Sequence, residues 1–281
     1  MVSAPERRRQ VAYARARGAS CRRACALLSV SRSALRYDSR RALKDAPVLD
    51  RMRALSAQYP RYGYRFIRIF LGCEGHKTSF ERAHRLWRVA GLQVGKKKMR
   101  RRVAASRPRP LAPSAANQVW AYDFVFDTCA NGQTIKCLTV IDEWTRECLA
   151  IDVGSNIRST RVIEVLSKLV SVHGAPKYLR SDNGPEFVST AVVQWLADEK
   201  IETAFSAPGK PWQNGADESF NGKFRNECLN MEWFRNRVEA VAVIEKWRAH
   251  FNDTRPHSSI GYLTPHEFKR QQQLSTREAI L

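Results

Sequence analysis

In the stretch YLRSDNGPEF, residues 178–187, an apolar approach through Tyr178 and Leu179 runs into Asp182, followed at once by Asn183, Gly184 and Pro185. Asn-Gly-Pro is turn chemistry, so a carboxylate is placed where a strand stops. Asp123 sits inside VWAYDFVFD, a strand pattern in which Tyr122 and Phe124 point to the opposite face. Burying a charge there is expensive unless something pairs with it. Glu218 lies in PWQNGADESFNGKFRNECL. On a helix Asn214, Glu218, Asn221 and Arg225 recur as one polar stripe, while Ala216, Phe220, Phe224 and Cys228 lie off it and can face a core. Three carboxylates drawn together repel one another and require positive charge. Hard oxygen ligands select Mg²⁺ or Mn²⁺, whereas zinc would want His or Cys. Two such ions, roughly 3.5–4 Å apart, activate an attacking oxygen and stabilise a leaving one at phosphorus. One carboxylate on a central strand can bridge both ions and the other two can each hold one.

The elements that must position these groups follow from periodicity. NQVWAYDFVFDTC reads as a strand and NGQ as a turn, and TIKCLTVID with TRECLAIDV completes an antiparallel meander. STRVIEVLSKLVSVHG is an amphipathic helix stopped by glycine. PKYLRSD is a buried strand, EFVSTAVVQWLADEK a helix and IETAFSAP a further strand, with helices to about residue 252. That order builds a mixed five-stranded sheet with helices on both faces.

The N-terminal third reads differently. CRRACALLSV and SRSALRY form a helix, a short turn and a second helix, with Ser31 as an N-cap and Ala24, Leu27, Leu28, Val30 and Leu35 as an apolar seam. This is the outline of a helix-turn-helix. A helix from about Val48 to Gln58, a short one in RYGYRFIRIFL, and one capped by Ser79 repeat the idea. In the last of these Phe80, Ala83, Trp87 and Ala90 recur at helical spacing, while Arg82, Arg85 and Arg88 spread over another side. GKKKMRRR, with Lys96, Lys97 and Lys98, then leads into SRPRPLAP, a proline-rich linker.

Charge separates these regions. Residues 1–110 carry 29 Lys/Arg and 6 Asp/Glu, a net of +23, whereas residues 111–281 carry 19 and 21, a net of −2. A surplus confined to one third of the chain is a binding surface, and nucleic-acid phosphate is the partner it fits. No run of eighteen apolar residues exists, so no membrane-spanning segment is expected, and the first residues lack the apolar core of a signal peptide. The seven cysteines form no CxxC pair, which suits a reducing cytoplasm.

YDF, then SDNGPEF, then PWQNGADESFNG, with 35 residues between Asp182 and Glu218, resemble the D,D-35-E core of retroviral integrases and insertion-sequence transposases. RYGYR, HRLWRVAGL, LTVIDEWTRECLAIDV, PGKPWQNG, ESFNGKFRNECLN and RPHSSIGYLTPHEF are similar to signatures of a finer class. In that class of bacterial transposases the protein comes from two overlapping reading frames, and this chain resembles the second-frame product over nearly its whole length. The resemblance implies a ribonuclease-H-like fold with Asp123, Asp182 and Glu218 as the catalytic, metal-binding triad. It also implies DNA strand cleavage and joining at insertion-sequence ends, a homo-oligomer, and a first-frame protein as partner or fusion. The expected organisation is a helix-turn-helix-like segment over 1–45, a helical DNA-binding domain over 46–95, a basic linker over 96–112, an integrase core over 113–270 and a tail over 271–281. Arg82, Arg85, Arg88, Lys96, Lys97, Lys98, Lys210, Asn214 and Arg225 are the expected DNA contacts. Asp217 is a second acid where this family is commonly apolar or neutral; the spacing and the stripe with Asn214 select Glu218.

Other acids have structural readings. Asp142 is expected to cap a turn and pair with Arg146, Glu186 to serve a helix N-terminus, and Asp127 to lie too far along its strand to share a metal. His257 is expected in a turn that packs Tyr262 and Phe268 on the core. Two alternatives remain beside a transposase: a plain metal-dependent nuclease of the same fold, and a DNA-binding regulator whose core has lost activity. The intact triad argues against the second.

Overall fold

Serine caps and small apolar residues shape the N-terminal unit, which spans Met1–Gln93; a second unit spans Val94–Leu281. The structure, a computed structural model, describes residues 4–35, 40–95, 111–181, 189–205 and 215–278. Helices α1 (Ala4–Ala16), α2 (Cys21–Leu27) and α3 (Arg32–Leu35) close around Val11, Ala24 and Cys25, with Leu28, Val30 and Leu35 packed against them. Ser31 caps α3 as expected, its Oγ accepting from the Ala34 amide at 3.2 Å. Leu27 departs from the expected seam: at the end of a two-turn helix it turns outward and is 75% exposed.

Helices α4 (Arg41–Gln58), α5 (Tyr64–Cys73) and α6 (Phe80–Val89) form a second helical group within this unit. Met52 and Leu55 of α4, Ile67 and Leu71 of α5, and Ala83, Leu86 and Trp87 of α6 are all buried. Ser79 caps α6, accepting from the Arg82 amide at 3.2 Å. Helix α4 starts at Arg41 and runs through Pro47, well before the expected start at Val48. Proline removes one ladder hydrogen bond, so a pattern reading breaks the helix there; buried Asp45 and Val48 on either side hold the turn in place.

In the second unit β1 (Val119–Thr128), β2 (Thr134–Asp142) and β3 (Cys148–Gly154) form the antiparallel meander. After α7 (Ser159–His173), β4 (Tyr178–Ser181) pairs parallel with β1. After α8 (Thr190–Asp198), β5 (Glu202–Phe205) pairs parallel with β4. The strand order is β3-β2-β1-β4-β5, the ribonuclease-H-like mixed sheet. One face packs Ala121, Val125, Cys137 and Ile141 against α9 (Gly215–Glu227) and α10 (Arg237–Asp253) through Phe220, Phe224, Trp247 and Phe251. The other packs Trp120, Tyr122, Leu138 and Val140 against Val162 and Leu166 of α7 and Val192 and Leu196 of α8. Strand alternation thus puts Asp123, between Ala121 and Val125, on the α9 face. Asn252 pins α10 to the sheet: its Oδ1 accepts from the Cys148 amide and its Nδ2 donates to the Cys148 carbonyl, both at 2.9 Å. Helix α11 (Pro265–Glu278) closes the unit, with Lys269 Nζ 2.7 Å from Glu147 Oε2. Among the described residues no helix is long and apolar enough to cross a membrane.

Candidate active site

Asp123 is half-buried on the central strand, directly opposite Thr139 of β2. Its Oδ1 accepts from the Phe124 amide at 2.7 Å and its Oδ2 from Asn221 Nδ2 of α9 at 2.9 Å. The Thr139 hydroxyl lies 3.1 Å from the Asp123 carbonyl and 3.2 Å from Asn221 Oδ1, two acceptors between which its single proton is shared. That hydroxyl fixes the carboxamide: with Oδ1 turned to Thr139, the Asn221 NH₂ faces the carboxylate. Charge-assisted bonds of this kind hold an acid in one orientation without cancelling its charge, because these donors are neutral.

Helix α9 is set against β1 at two points along the expected stripe. Asn221 meets Asp123, and one turn on, Arg225 Nη2 donates to the Phe126 carbonyl at 3.0 Å. Glu218, on the same stripe one turn before Asn221, is exposed and makes no hydrogen bond or ion pair among the described residues. Its neighbour Asp217 is wholly buried on the side of α9 that carries Phe220 and Phe224. The two adjacent acids therefore face different environments, and only Glu218 is open to a ligand.

Strand β4 ends at Ser181, with Ala121 paired to Arg180. Arg180 is buried, 3.5 Å from buried Glu143 and 3.1 Å from the Leu111 carbonyl, so a charged brace holds the end of this strand. Asp182, the next residue, lies outside the described residues, as do Glu186, Lys96, Lys97, Lys98, Lys210 and Asn214. No group of three or more His, Cys, Asp or Glu side chains suited to a metal is gathered among the described residues. The donors present nonetheless fit a hard divalent cation: Asp123 and Glu218 offer carboxylate oxygen on one face of the β1–α9 junction, with no thiol or imidazole on the stripe.

The remaining expected residues are placed as follows. Arg82 Nε and Arg85 Nη2 bond opposite oxygens of Asp45 at 2.9 and 2.7 Å, and Arg82 Nη2 also reaches the Lys44 carbonyl at 2.7 Å. They form the wall of a basic cleft with Arg40, Arg41 and Lys44. Burial alone would raise the Asp45 pKa, but the hydrogen bonds from Arg85 and Arg82 outweigh it and hold the carboxyl below its ordinary value. Arg88 and Arg225 are exposed. Asp142 does cap its turn, its Oδ1 accepting from the Trp144 and Thr145 amides and the Thr145 hydroxyl. The expected pairing with Arg146 is made through the backbone and not the side chains: the Asp142 Oδ2 accepts from the Asn117 amide, and the Arg146 amide donates to the Asp142 carbonyl. Asp127 Oδ1 accepts from the Thr128 amide. His257 is buried, its Nε2 3.2 Å from the Phe251 carbonyl and its ring edge-on to Phe251. Burial, then the nearby Arg255 charge, pushes its pKa down to about 3.

Residues 113–211 and 199–265 each match the family described as integrase core domain. Over 247 residues the chain is 41% identical to the insertion element IS407 uncharacterized 31.7 kDa protein of Burkholderia multivorans, covering 88% of this chain and 89% of that one. The transposase for insertion sequence element IS904 of Lactococcus lactis is 26% identical over 223 residues, 75% of this chain and 88% of that one. Among solved structures, the catalytic core domain of BIV integrase matches at 17% identity and a TM-score of 0.46, over 57% of this chain and 99% of that one. The chain belongs to the bacterial insertion-sequence transposases that carry an integrase core. That family consists of polynucleotidyl-transferase-type enzymes, which in general act on DNA with divalent metal ions and as oligomers.

Proposed function

We propose that this transposase cuts DNA at the ends of an insertion sequence and joins them to a target, with Asp123, Asp182 and Glu218 holding two Mg²⁺ or Mn²⁺ ions. When bound, such an ion pair supplies activation of the attacking oxygen and stabilisation of the leaving one. In the first step water attacks a phosphodiester at the element end, a new P–O bond forms, the bond to O3′ breaks, and the departing O3′ takes a proton. In the second, the freed 3′-hydroxyl attacks a target phosphodiester and displaces that strand's own 3′-hydroxyl. No covalent protein intermediate is required.

The observation that carries this reading is the Asn221–Asp123 hydrogen bond, 2.9 Å long, which registers the α9 stripe, and with it exposed Glu218, against the central strand. Asn221, Thr139 and the Phe124 amide orient the Asp123 carboxylate, a preorganisation that spares reorganisation when phosphate charge develops. Arg225 docks α9 on β1, and with Arg88, Lys96, Lys97, Lys98, Lys210 and Asn214 it contacts DNA. The basic N-terminal third carries most non-specific affinity, through helical DNA-binding domains at 1–45 and 46–95 and the linker at 96–112; the core at 113–270 carries the chemistry. Every cysteine is a free thiol, which suits the reducing cytoplasm. A homo-oligomer, with the first-frame protein as partner or fusion, is the working assembly.

The test supplies an element end with a free 3′-hydroxyl, target DNA, Mg²⁺ or Mn²⁺ and the first-frame protein. Joined product is expected. Hydrolysis without joining would replace this reading by a metal-dependent nuclease.

A further inference from the structure

The turn between α5 and α6, residues 74–79, is specified at each step. Gly75 takes a φ of +87°, the left-handed conformation that stops α5, and the His76 amide donates back to the Leu71 carbonyl at 2.8 Å. Thr78 is buried with its Oγ1 donating to the His76 carbonyl at 3.0 Å, and Ser79 then caps α6. Both helices pack on α4. A helix, a fixed turn and a second helix on a supporting third is the arrangement in which the second helix enters the DNA major groove.

The rotation of α6 is set from three sides. Ala83, Leu86 and Trp87 are buried against the unit. On one flank Arg82 and Arg85 are drawn to Asp45 of α4. On the other, the Tyr64 ring of α5 lies 4.8 Å from the His84 ring and 5.2 Å from the Phe80 ring, centroid to centroid. Glu81 and Arg88 stand between these flanks, two turns apart on the outward face. Both are exposed, and neither makes a hydrogen bond or ion pair among the described residues.

The chemistry of that pair suits base edges better than phosphates. Residues 1–93 carry 21 Lys/Arg and 6 Asp/Glu, a net of +15, so the unit as a whole attracts the DNA backbone. An acid on the outward face of α6 repels phosphate, and the DNA group it can accept from is the cytosine N4 amine in the major groove. The Arg88 fork matches guanine O6 and N7. We infer that α6 reads base sequence, with Glu81 and Arg88 as specificity-determining residues. Seven residues of helix rise about 10 Å, roughly three base pairs at 3.4 Å each. Arg82 and Arg85, held by Asp45, fix which face is presented. This inference rests on the reading that residues 46–95 form a DNA-binding domain.

Site selection tests it, with the full-length chain in EDTA on a duplex library carrying a randomised stretch. Affinities then follow for the selected duplex and for duplexes changed at single base pairs, across a salt series. The wild type is expected to enrich one sequence. Arg88→Lys keeps the charge and gives up the fork, and should lower discrimination at one base pair by roughly tenfold to a hundredfold while the slope of log affinity against log salt stays the same. Glu81→Gln should exchange a preferred cytosine for adenine about three base pairs away. Both side chains are exposed, so neither change removes a packed group. Unchanged base preference in either variant, a uniform loss across all duplexes, or a wild type that enriches no sequence would overturn the inference. Strand joining by a protein whose α6 shows no base preference would sink this inference and leave the transposition reading standing; base preference in a protein that never joins strands would do the reverse.

Discussion

Two buried or half-buried aspartates, one in each unit, are held in opposite ways. In the helical unit Asp45 is clamped by Arg82 and Arg85, which take one oxygen each, and its charge is cancelled where it stands. In the core the Asp123 carboxylate accepts from the Phe124 amide and the Asn221 carboxamide, two neutral donors that orient it. The first arrangement ties α6 to α4. The second sets the orientation of a carboxylate on the central strand through neutral donors from its own strand and from α9.

The largest expected effect separates these roles. Asp123→Asn and Glu218→Gln preserve side-chain size and remove charge, and each should lower strand cutting and joining by about a thousandfold or more, since several kcal/mol of transition-state stabilisation is lost. Folding stability should move by less than about 1 kcal/mol, and metal-free DNA binding should stay near wild type. Asp45→Asn should do the opposite, leaving the chemical step intact while destabilising the helical unit by about 2 kcal/mol. That figure lies between exposed and fully buried pairs because its arginines are about a third exposed. Thermal unfolding beside single-turnover joining assays distinguishes them.

A smaller effect is expected from Asn221→Ala. Removing an orienting partner typically lowers activity by roughly 10- to 100-fold, and one hydrogen bond is worth about 1 kcal/mol of stability. If joining were unaffected while stability fell by that amount, Asn221 would be a packing residue only.

Acid should strip the two units at different pH. His257 has a folded pKa depressed to about 3 against an ordinary 6.5, so it binds fewer protons folded than unfolded across that interval. Its contribution to the core is fully present above about 6.5 and is lost progressively as pH falls toward 3. Asp45 is depressed from 3.8, so its contribution holds down to that value and is lost only as pH falls further, through the folded pKa. Amide exchange at pH 7, 5 and 4 should therefore show the core loosening before the helical unit, and His257→Gln should flatten the core's response. This is the smallest and most easily masked of the effects, since other groups titrate in the same range.

Element order in the core was legible because each strand and helix carries its own periodicity, and the meander, the crossover helices and the stripe on α9 follow from neighbours in sequence. Non-local partners were not legible. Arg82 and Arg85 were expected as DNA contacts, and their tie to Asp45 was not legible because it lies 37 and 40 residues upstream, beyond any helical period. Asn221 was visible on the stripe, but its role depends on Asp123, 98 residues away, and on a Thr139 hydroxyl set opposite by strand register. Leu27 and Pro47 misled for local reasons: adjacent leucines at a helix end cannot both face one core, and proline inside α4 is tolerated by packing that sequence does not display.

The most direct measurement concerns the charge on Asp123. With wild-type protein, a pre-cut element end, target DNA, the first-frame protein and Mg²⁺, joined product should form and should vanish in EDTA. Asp123→Asn should bind the same DNA with unchanged affinity and yield no joined product at any Mg²⁺ or Mn²⁺ concentration. Joining by Asp123→Asn at a rate near wild type would show that this carboxylate holds no catalytic metal.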